Sequence, residues 1–241
     1  MLFRSRGLAK RAGWLVGVEI DGKLIPVLER ALSRYPNTEI IQADFLKCDA
    51  KALVEERLAA HEDLTGVQIV GNLPYYITTP IIMNVLEGDV PFTAMTVMMQ
   101  KEVGQRILAR PGTKEYGALS VAVQYYCRVE KITDVGRHSF RPVPKVDSVV
   151  LRLEKREEAA VATLDTKMFF TCVKRAFSMR RKTLLNCFTG LLGLDKEETE
   201  EVLKEAGIDP SLRGEVLTIE EFGRLADGYA RRQEAAKTET E

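Results

Sequence analysis

Asn72-Leu73-Pro74-Tyr75 carries the most specific chemistry in this 241-residue chain. An aromatic amine is a poor nucleophile because its lone pair is delocalised into the ring. Acceptors aimed at its N–H groups, here the Asn72 side-chain carbonyl and a Leu73 or Pro74 backbone carbonyl, favour the pyramidal form that can attack. Pro74 fixes the turn and brings no competing N–H. Tyr75 offers a flat face on which a base can stack. The plainer alternative is a β-turn followed by a core tyrosine.

Two acids stand upstream, Glu19 at the end of one apolar run and Asp44 just after the next. In an open α/β sheet, ligands gather outside the carboxyl ends of the strands, so an acid at one strand end suits ribose hydroxyls and a second suits an adenine. Each could equally be a helix cap or a solvated turn acid. Downstream, Phe140-Arg141-Pro142-Val143-Pro144-Lys145 reads as a loop, since two prolines remove ladder donors. Its Phe140 could clamp the other face of a flipped base, or could be a core residue. Residues 167–190 hold six basic residues (Lys167, Lys174, Arg175, Arg180, Arg181, Lys182) and no acidic one. Such a face attracts phosphate, although a solvated helix face is the ordinary reading of a charge run.

The elements that must position these residues are legible in outline. Leu15–Ile20, Thr38–Gln42, Val67–Val70 and Met95–Gln100 read as strands, separated by helical patterns over Lys23–Tyr35, Ala50–Ala60 and Thr79–Leu86. Leu24, Val27, Leu28, Ala31 and Leu32 mark one side of the first of these helices, and Lys101–Leu108 is a further helix. The alternation predicts a mostly parallel sheet covered on both faces. Ala118–Val129 and Ser148–Leu153 look like a late strand pair. From about Glu154 the chain turns helical, with one stripe over Met168–Phe188 that includes Phe169, Cys172, Val173, Ala176, Phe177 and Leu184.

Composition sets the bounds. With 45% apolar residues, 35 Lys plus Arg and 35 Asp plus Glu, the chain can bury a large core and is not disordered. The neutral total conceals polarity, because residues 195–241 hold seven basic and fourteen acidic residues, opposite the basic run before them. Cys48, Cys127, Cys172 and Cys187 form no CxxC pair, so neither a zinc site nor a disulfide framework is expected. No signal-peptide core or membrane-length apolar run is present, and the chain is read as cytoplasmic.

VGVEID, Ala43-Asp44-Phe45, GNLPYYITTPI, MMQKEVGQRI, KEYGALSVAVQYY, FRPVPKVDSVVLRL, AFSMRRKTLLN and IDPSLRGEVLTIEEFGRLA together resemble the KsgA/RsmA family, the dimethyltransferases of two adjacent adenines near the 3′ end of small-subunit (16S) rRNA. These stretches run from about Leu8 to Ala226. The resemblance implies an α/β fold: a Rossmann-like S-adenosyl-L-methionine (SAM) methyltransferase domain over residues 1–155 and a small all-α, rRNA-binding domain over 156–241. It implies that Glu19 binds the cofactor ribose and Asp44 its adenine amine, with Ile20 and Phe45 beside them. Asn72 would stand between cofactor and substrate, Asn72, Leu73 and Pro74 would orient the target amine, and Tyr75 and Phe140 would sandwich the base. Arg141, Lys145, Lys174, Arg175, Arg180, Arg181 and Lys182 would hold the RNA. The partner implied is the small ribosomal subunit, with no metal, no membrane, and a monomeric enzyme linked to ribosome biogenesis.

One departure bears on activity. The family carries a first strand and a glycine-rich GxGxGxLT loop, and no GxGxG occurs here; MLFRSR stands where that loop belongs, ahead of Gly7–Ala12, which look like the helix after it. The expectation is an N-terminally truncated sheet with two unpaired strand edges and weak SAM binding. Two other readings compete: an RNA-binding or ribosome-assembly factor on the same fold, and a DNA adenine methyltransferase, disfavoured by Leu73 where an Asn-Pro-Pro-Tyr motif has proline.

Overall fold

Short β-branched runs end at acids or turn residues in the first third of the chain, and the strands stop there. In a computed structural model, which describes residues 2–179 and 181–238, Leu15–Glu19 (β1) pairs in parallel with Thr38–Gln42 (β2), Leu15 against Thr38 and Glu19 against Gln42. The helices here are Leu2–Ala9 (α1), Ile25–Leu32 (α2), Ala50–Ala60 (α3) and Thr78–Glu87 (α4). Pro26 sits in the first turn of α2, where a missing N–H costs nothing. Only Leu28 and Leu32 of the predicted apolar side of α2 are buried, while Leu24 and Val27 stay exposed. Asn37 ties α1 to β2 by donating its amide to the carbonyls of Ala9 (3.0 Å) and Ala12 (2.8 Å). Helix α1 ends at Ala9, three residues before the end of the helical stretch read from sequence. The Trp14 ring lies over His61 with centroids 4.2 Å apart. Glu39 accepts two hydrogen bonds from the Arg57 guanidinium (2.7 and 3.2 Å), which holds its carboxyl below the usual range.

The chain divides into two compact units, residues 1–69 with 73–93, and residues 70–72 with 94–241. In the second, Ala94–Gln100 (β4), Cys127–Val135 (β5) and Ser148–Lys155 (β6) belong to a sheet of order β3-β4-β6-β5, where β3 is Gln68–Asn72. Strand β6 is antiparallel to both neighbours, Leu151 facing Val97 and Val149 facing Asp134. The expected mostly parallel sheet is therefore corrected: β1 and β2 are parallel, but the β4–β6–β5 pairs are not. The short link between β5 and β6 contains no crossover helix, so the two must run in opposite directions. Strands β1 and β3 are each at the edge of their sheet.

A second correction concerns Ala118–Val129. Ala118–Tyr126 is a helix (α6), and the strand begins only at Cys127. A continuous apolar run does not distinguish a buried helix from a buried strand, and six of the nine residues of α6 are buried. Its start is fixed by Ser120, whose hydroxyl accepts from the Gly117 N–H at 3.1 Å. Helix α5, Lys101–Leu108, packs so closely on β6 that a Cβ on Gly104 would lie 2.3 Å from Val149.

The remaining chain is helical: Thr166–Ser178 (α7), Leu184–Phe188 (α8), Lys196–Glu205 (α9) and Ile219–Thr238 (α10). The single stripe predicted over Met168–Phe188 is broken after Ser178, where Met179 leaves helical geometry and Thr183 caps a new helix. Asp165 caps α7, and Asp195 with Glu198 forms a capping box on α9. Phe169, Phe188, Phe222 and Tyr229 are fully buried between these helices, and the buried Tyr116 donates to the Leu217 carbonyl at 3.0 Å. No helix of the described residues is long and apolar enough to cross a membrane.

Burial pushes the Cys127 and Cys172 thiols up from the usual 9.0 to about 12 each. Their folded values lie above the unfolded ones, so the stabilisation is complete below pH 9 and is lost as pH rises through the 9 to 12 window. Urea titrations between pH 8 and 10.5 should show stability falling by up to about 1.4 kcal/mol per pH unit for each thiol. Cys127→Ala and Cys172→Ala together should flatten that slope.

Candidate active site

Parallel pairing brings the two upstream acids to the same end of the small sheet. Glu19 is the last residue of β1, and its carbonyl accepts from the Ala43 N–H at 3.0 Å, next to Asp44. Glu19 as a whole is 9% exposed, which is low for an acidic residue. Its Oε1 accepts the Asp21 N–H at 3.0 Å, and Oε2 accepts nothing among the described residues. A buried carboxylate with one oxygen unspent suits a pair of hydroxyl donors. Ile20 beside it is 66% exposed.

Asp44 has the capping role that its position allowed. Its Oδ1 accepts from Leu46 N–H at 3.1 Å and opens the short 3-10 turn Phe45–Lys47, while Oδ2 lies 3.8 Å from Lys47 Nζ. The cap fixes one oxygen and leaves the other able to take an N–H donor. Phe45 is half-buried in that turn.

At the end of β3, Asn72 is exposed and Leu73 half-buried, and the chain then turns into α4. The Pro74 carbonyl accepts from the Ile77 N–H at 3.1 Å and from the Thr78 hydroxyl at 3.0 Å. Both of its lone pairs are therefore occupied within the turn. The Leu73 carbonyl accepts no hydrogen bond among the described residues, which makes it, with the Asn72 side chain, the available acceptor. Tyr75 is half-buried, and Tyr76 is 84% exposed. Thr78, only 1% exposed, is a positioning residue that sequence reasoning did not single out. The available signal was a threonine four residues after the proline at a helix start.

Phe140 closes the short 3-10 turn Arg137–Ser139 and is half-buried, with Arg141 and Lys145 exposed on the same loop. Asp147 anchors that loop: its Oδ1 accepts from the Arg137 N–H at 2.9 Å, and its carbonyl accepts from the Lys101 N–H at 2.9 Å. This anchor was also missed, since nothing in the local spacing marks Asp147.

Lys174, Arg181 and Lys182 are exposed, and Arg180 lies outside the described residues. Arg175 leaves the candidate RNA set. Its Nε donates to the Cys187 carbonyl at 2.6 Å and its Nη2 to the Thr189 carbonyl at 2.8 Å, so the guanidinium caps the end of α8. Among the described residues, no group of three or more His, Cys, Asp or Glu could hold a metal ion.

The model of the ribosomal RNA adenine dimethylase family matches residues 2–230. The ribosomal RNA small subunit methyltransferase A of Clostridioides difficile (strain 630) is 49% identical over 223 residues, which cover 92% of this chain and 76% of that protein. That of Bacillus cytotoxicus is 48% identical over 223 residues, 91% of this chain and 75% of the relative. Among solved structures, a dimethyladenosine transferase from Plasmodium falciparum superposes with a TM-score of 0.77 at 23% identity, over 94% of this chain and 86% of that one, a likeness of fold. The 23S rRNA methyltransferase ErmE gives a TM-score of 0.65 at 27% identity, over 92% and 84% of the two chains. The strand-end acids, the Asn-Leu-Pro-Tyr turn and a match that spans almost the whole sequence agree: the chain belongs to the ribosomal RNA adenine dimethylase family.

Proposed function

We propose that this chain transfers methyl groups from SAM to N6 of two adjacent adenines near the 3′ end of 16S rRNA, in the cytoplasm and as part of small-subunit assembly. The observation that carries this reading is the Asn72–Tyr75 turn, where one backbone carbonyl is spent on the fold and the next is left for a substrate. The family match supports an enzyme over a non-catalytic assembly factor on the same fold. Residues 1–155 form the methyltransferase domain in this reading, and residues 156–241 the rRNA-binding domain.

The residues present fit the adenosine half of the cofactor. Glu19 Oε2 takes the ribose hydroxyls, Asp44 Oδ2 takes the adenine amine, and Ile20 and Phe45 supply apolar contact. SAM, when bound, supplies an electrophilic sulfonium methyl. The protein's own part is alignment. Asn72 Oδ1 and the Leu73 carbonyl accept the two N6–H groups of the target adenine and draw its nitrogen out of conjugation, while Pro74 holds the turn rigid. Tyr75 and Phe140 stack on the base and exclude water. After the first transfer one N–H remains, and either acceptor suffices to hold it for the second. Arg141, Lys145, Lys174, Arg180, Arg181 and Lys182 take the RNA phosphates.

Labelled SAM and unmethylated small-subunit RNA test the reading. Calorimetry should find SAM binding, and the label should appear at adenine N6. Asn72→Ala should cut methylation by at least about 100-fold with RNA affinity kept. Turnover that survives this change would remove Asn72 from the site.

Changing Arg181 and Lys182 together to Glu should weaken RNA binding and lower the salt dependence of the association constant, by about one unit of slope per lost phosphate contact. An unchanged slope returns this face to ordinary solvation.

A further inference from the structure

Beside the start of α5 lies an open groove of about 530 Å³, lined by residues of α5, the segment after it, β5 and β6. Gly104, Leu108, Ala109 and Val149 supply its apolar lining, and Gln105 and Thr113 add neutral polar side chains. Lys101, Lys131 and Arg110 stand on its walls with Asp134 and Glu115. The two lysines converge on one carboxylate: Lys131 Nζ is 2.6 Å from Asp134 Oδ2, and Lys101 Nζ is 3.4 Å from Asp134 Oδ1. All three side chains are nearly half exposed. Arg110 has no ion-pair partner among the described residues. Two ammonium groups held by one carboxylate, with a guanidinium nearby, leave the wall with cationic character that a second anion can share.

The groove lies beside the base of the loop that carries Phe140, which itself is not among the lining residues. Asp134 lies near the end of β5, where the chain enters that loop, and the Asp147 carbonyl that closes it accepts the Lys101 N–H. Lys101 and Asp134 thus mark the two ends of that loop, and the cations flank the place where the chain enters and leaves it. We propose that the groove binds a phosphodiester of the RNA outside the target nucleotide, held by Lys101, Lys131 and Arg110, and that Asp134 is the internal competitor which keeps the two lysines in place until the phosphate arrives. This rests on the rRNA substrate proposed above.

The role of Asp134 gives the test its sign. A residue that only holds lysines for RNA would weaken binding when neutralised, whereas a competing anion strengthens it. Filter binding of a small-subunit RNA fragment containing the target adenines, across a KCl series, reads both outcomes. Asp134→Asn should bind roughly threefold more tightly at low salt, through removal of one carboxylate at contact distance. Lys101→Gln with Lys131→Gln should bind roughly tenfold more weakly, with a salt slope lower by about one to two. Thermal unfolding of each variant checks the fold, which an exposed ion pair influences little. If the double lysine variant matches the parent in affinity and slope, or if Asp134→Asn binds more weakly, the groove is not a phosphate site. Loss of binding in the Arg181 and Lys182 variant but not in the lysine pair overturns the groove alone. A parent chain with no affinity for the fragment overturns the rRNA reading itself.

Discussion

The carbonyl of Pro74, between a strand and a helix start, is held by two hydrogen bonds from the residues that follow it. Thr78 supplies one from the first turn of α4: its hydroxyl, buried to 1% exposure, reaches back 3.0 Å to the Pro74 oxygen, alongside the Ile77 N–H. The path from β3 to α4 is then set, and with it the direction of Asn72 and of the Leu73 carbonyl. Without the Thr78 hydroxyl that carbonyl would keep one bond fewer and the turn would be freer to relax. The acceptors for an amine work only if they are already aimed before substrate arrives.

Rigid supports of the same kind recur away from the turn. Asp147 joins the two ends of the Phe140 loop through its side-chain bond from Arg137 and ties that loop to α5 through its carbonyl and the Lys101 N–H. Asp44 spends one oxygen on its own turn. Arg175 spends its guanidinium on the last carbonyls of α8, which fixes the corner from which Arg181 and Lys182 project. Each functional group has a neighbour, or a second atom of its own, committed to geometry. Residues 167–190 hold six basic and no acidic residues, whereas residues 195–241 hold fourteen acidic and seven basic ones.

Legibility followed the range of the interaction. Strands β1 and β2, helix α3 and the Asn72–Tyr75 motif were readable because periodicity and turn residues act within a few positions. The antiparallel β4–β6–β5 arrangement depends on how a link folds, and α6 was hidden inside an apolar run that fits either a helix or a strand. Among site residues, Glu19 and Asp44 were found from their place after apolar runs. Asp44's capping bond was one of two roles its position allowed, and Arg175's carbonyl partners, 12 and 14 residues away, left no mark in local spacing. Thr78 and Asp147 escaped because their work is a single bond to a backbone atom.

The pairing of Trp14 with His61 has a practical side. Trp14 is the single tryptophan of the chain and lies in the first unit, whereas the buried tyrosines Tyr116, Tyr125 and Tyr229 lie in the second. Indole emission thus reports on the β1–β2 unit alone, and near-ultraviolet dichroism of the tyrosine and phenylalanine cluster reports mainly on the other. The molecule carries its own two-colour label, so whether its two parts melt together or in sequence can be read without adding a dye.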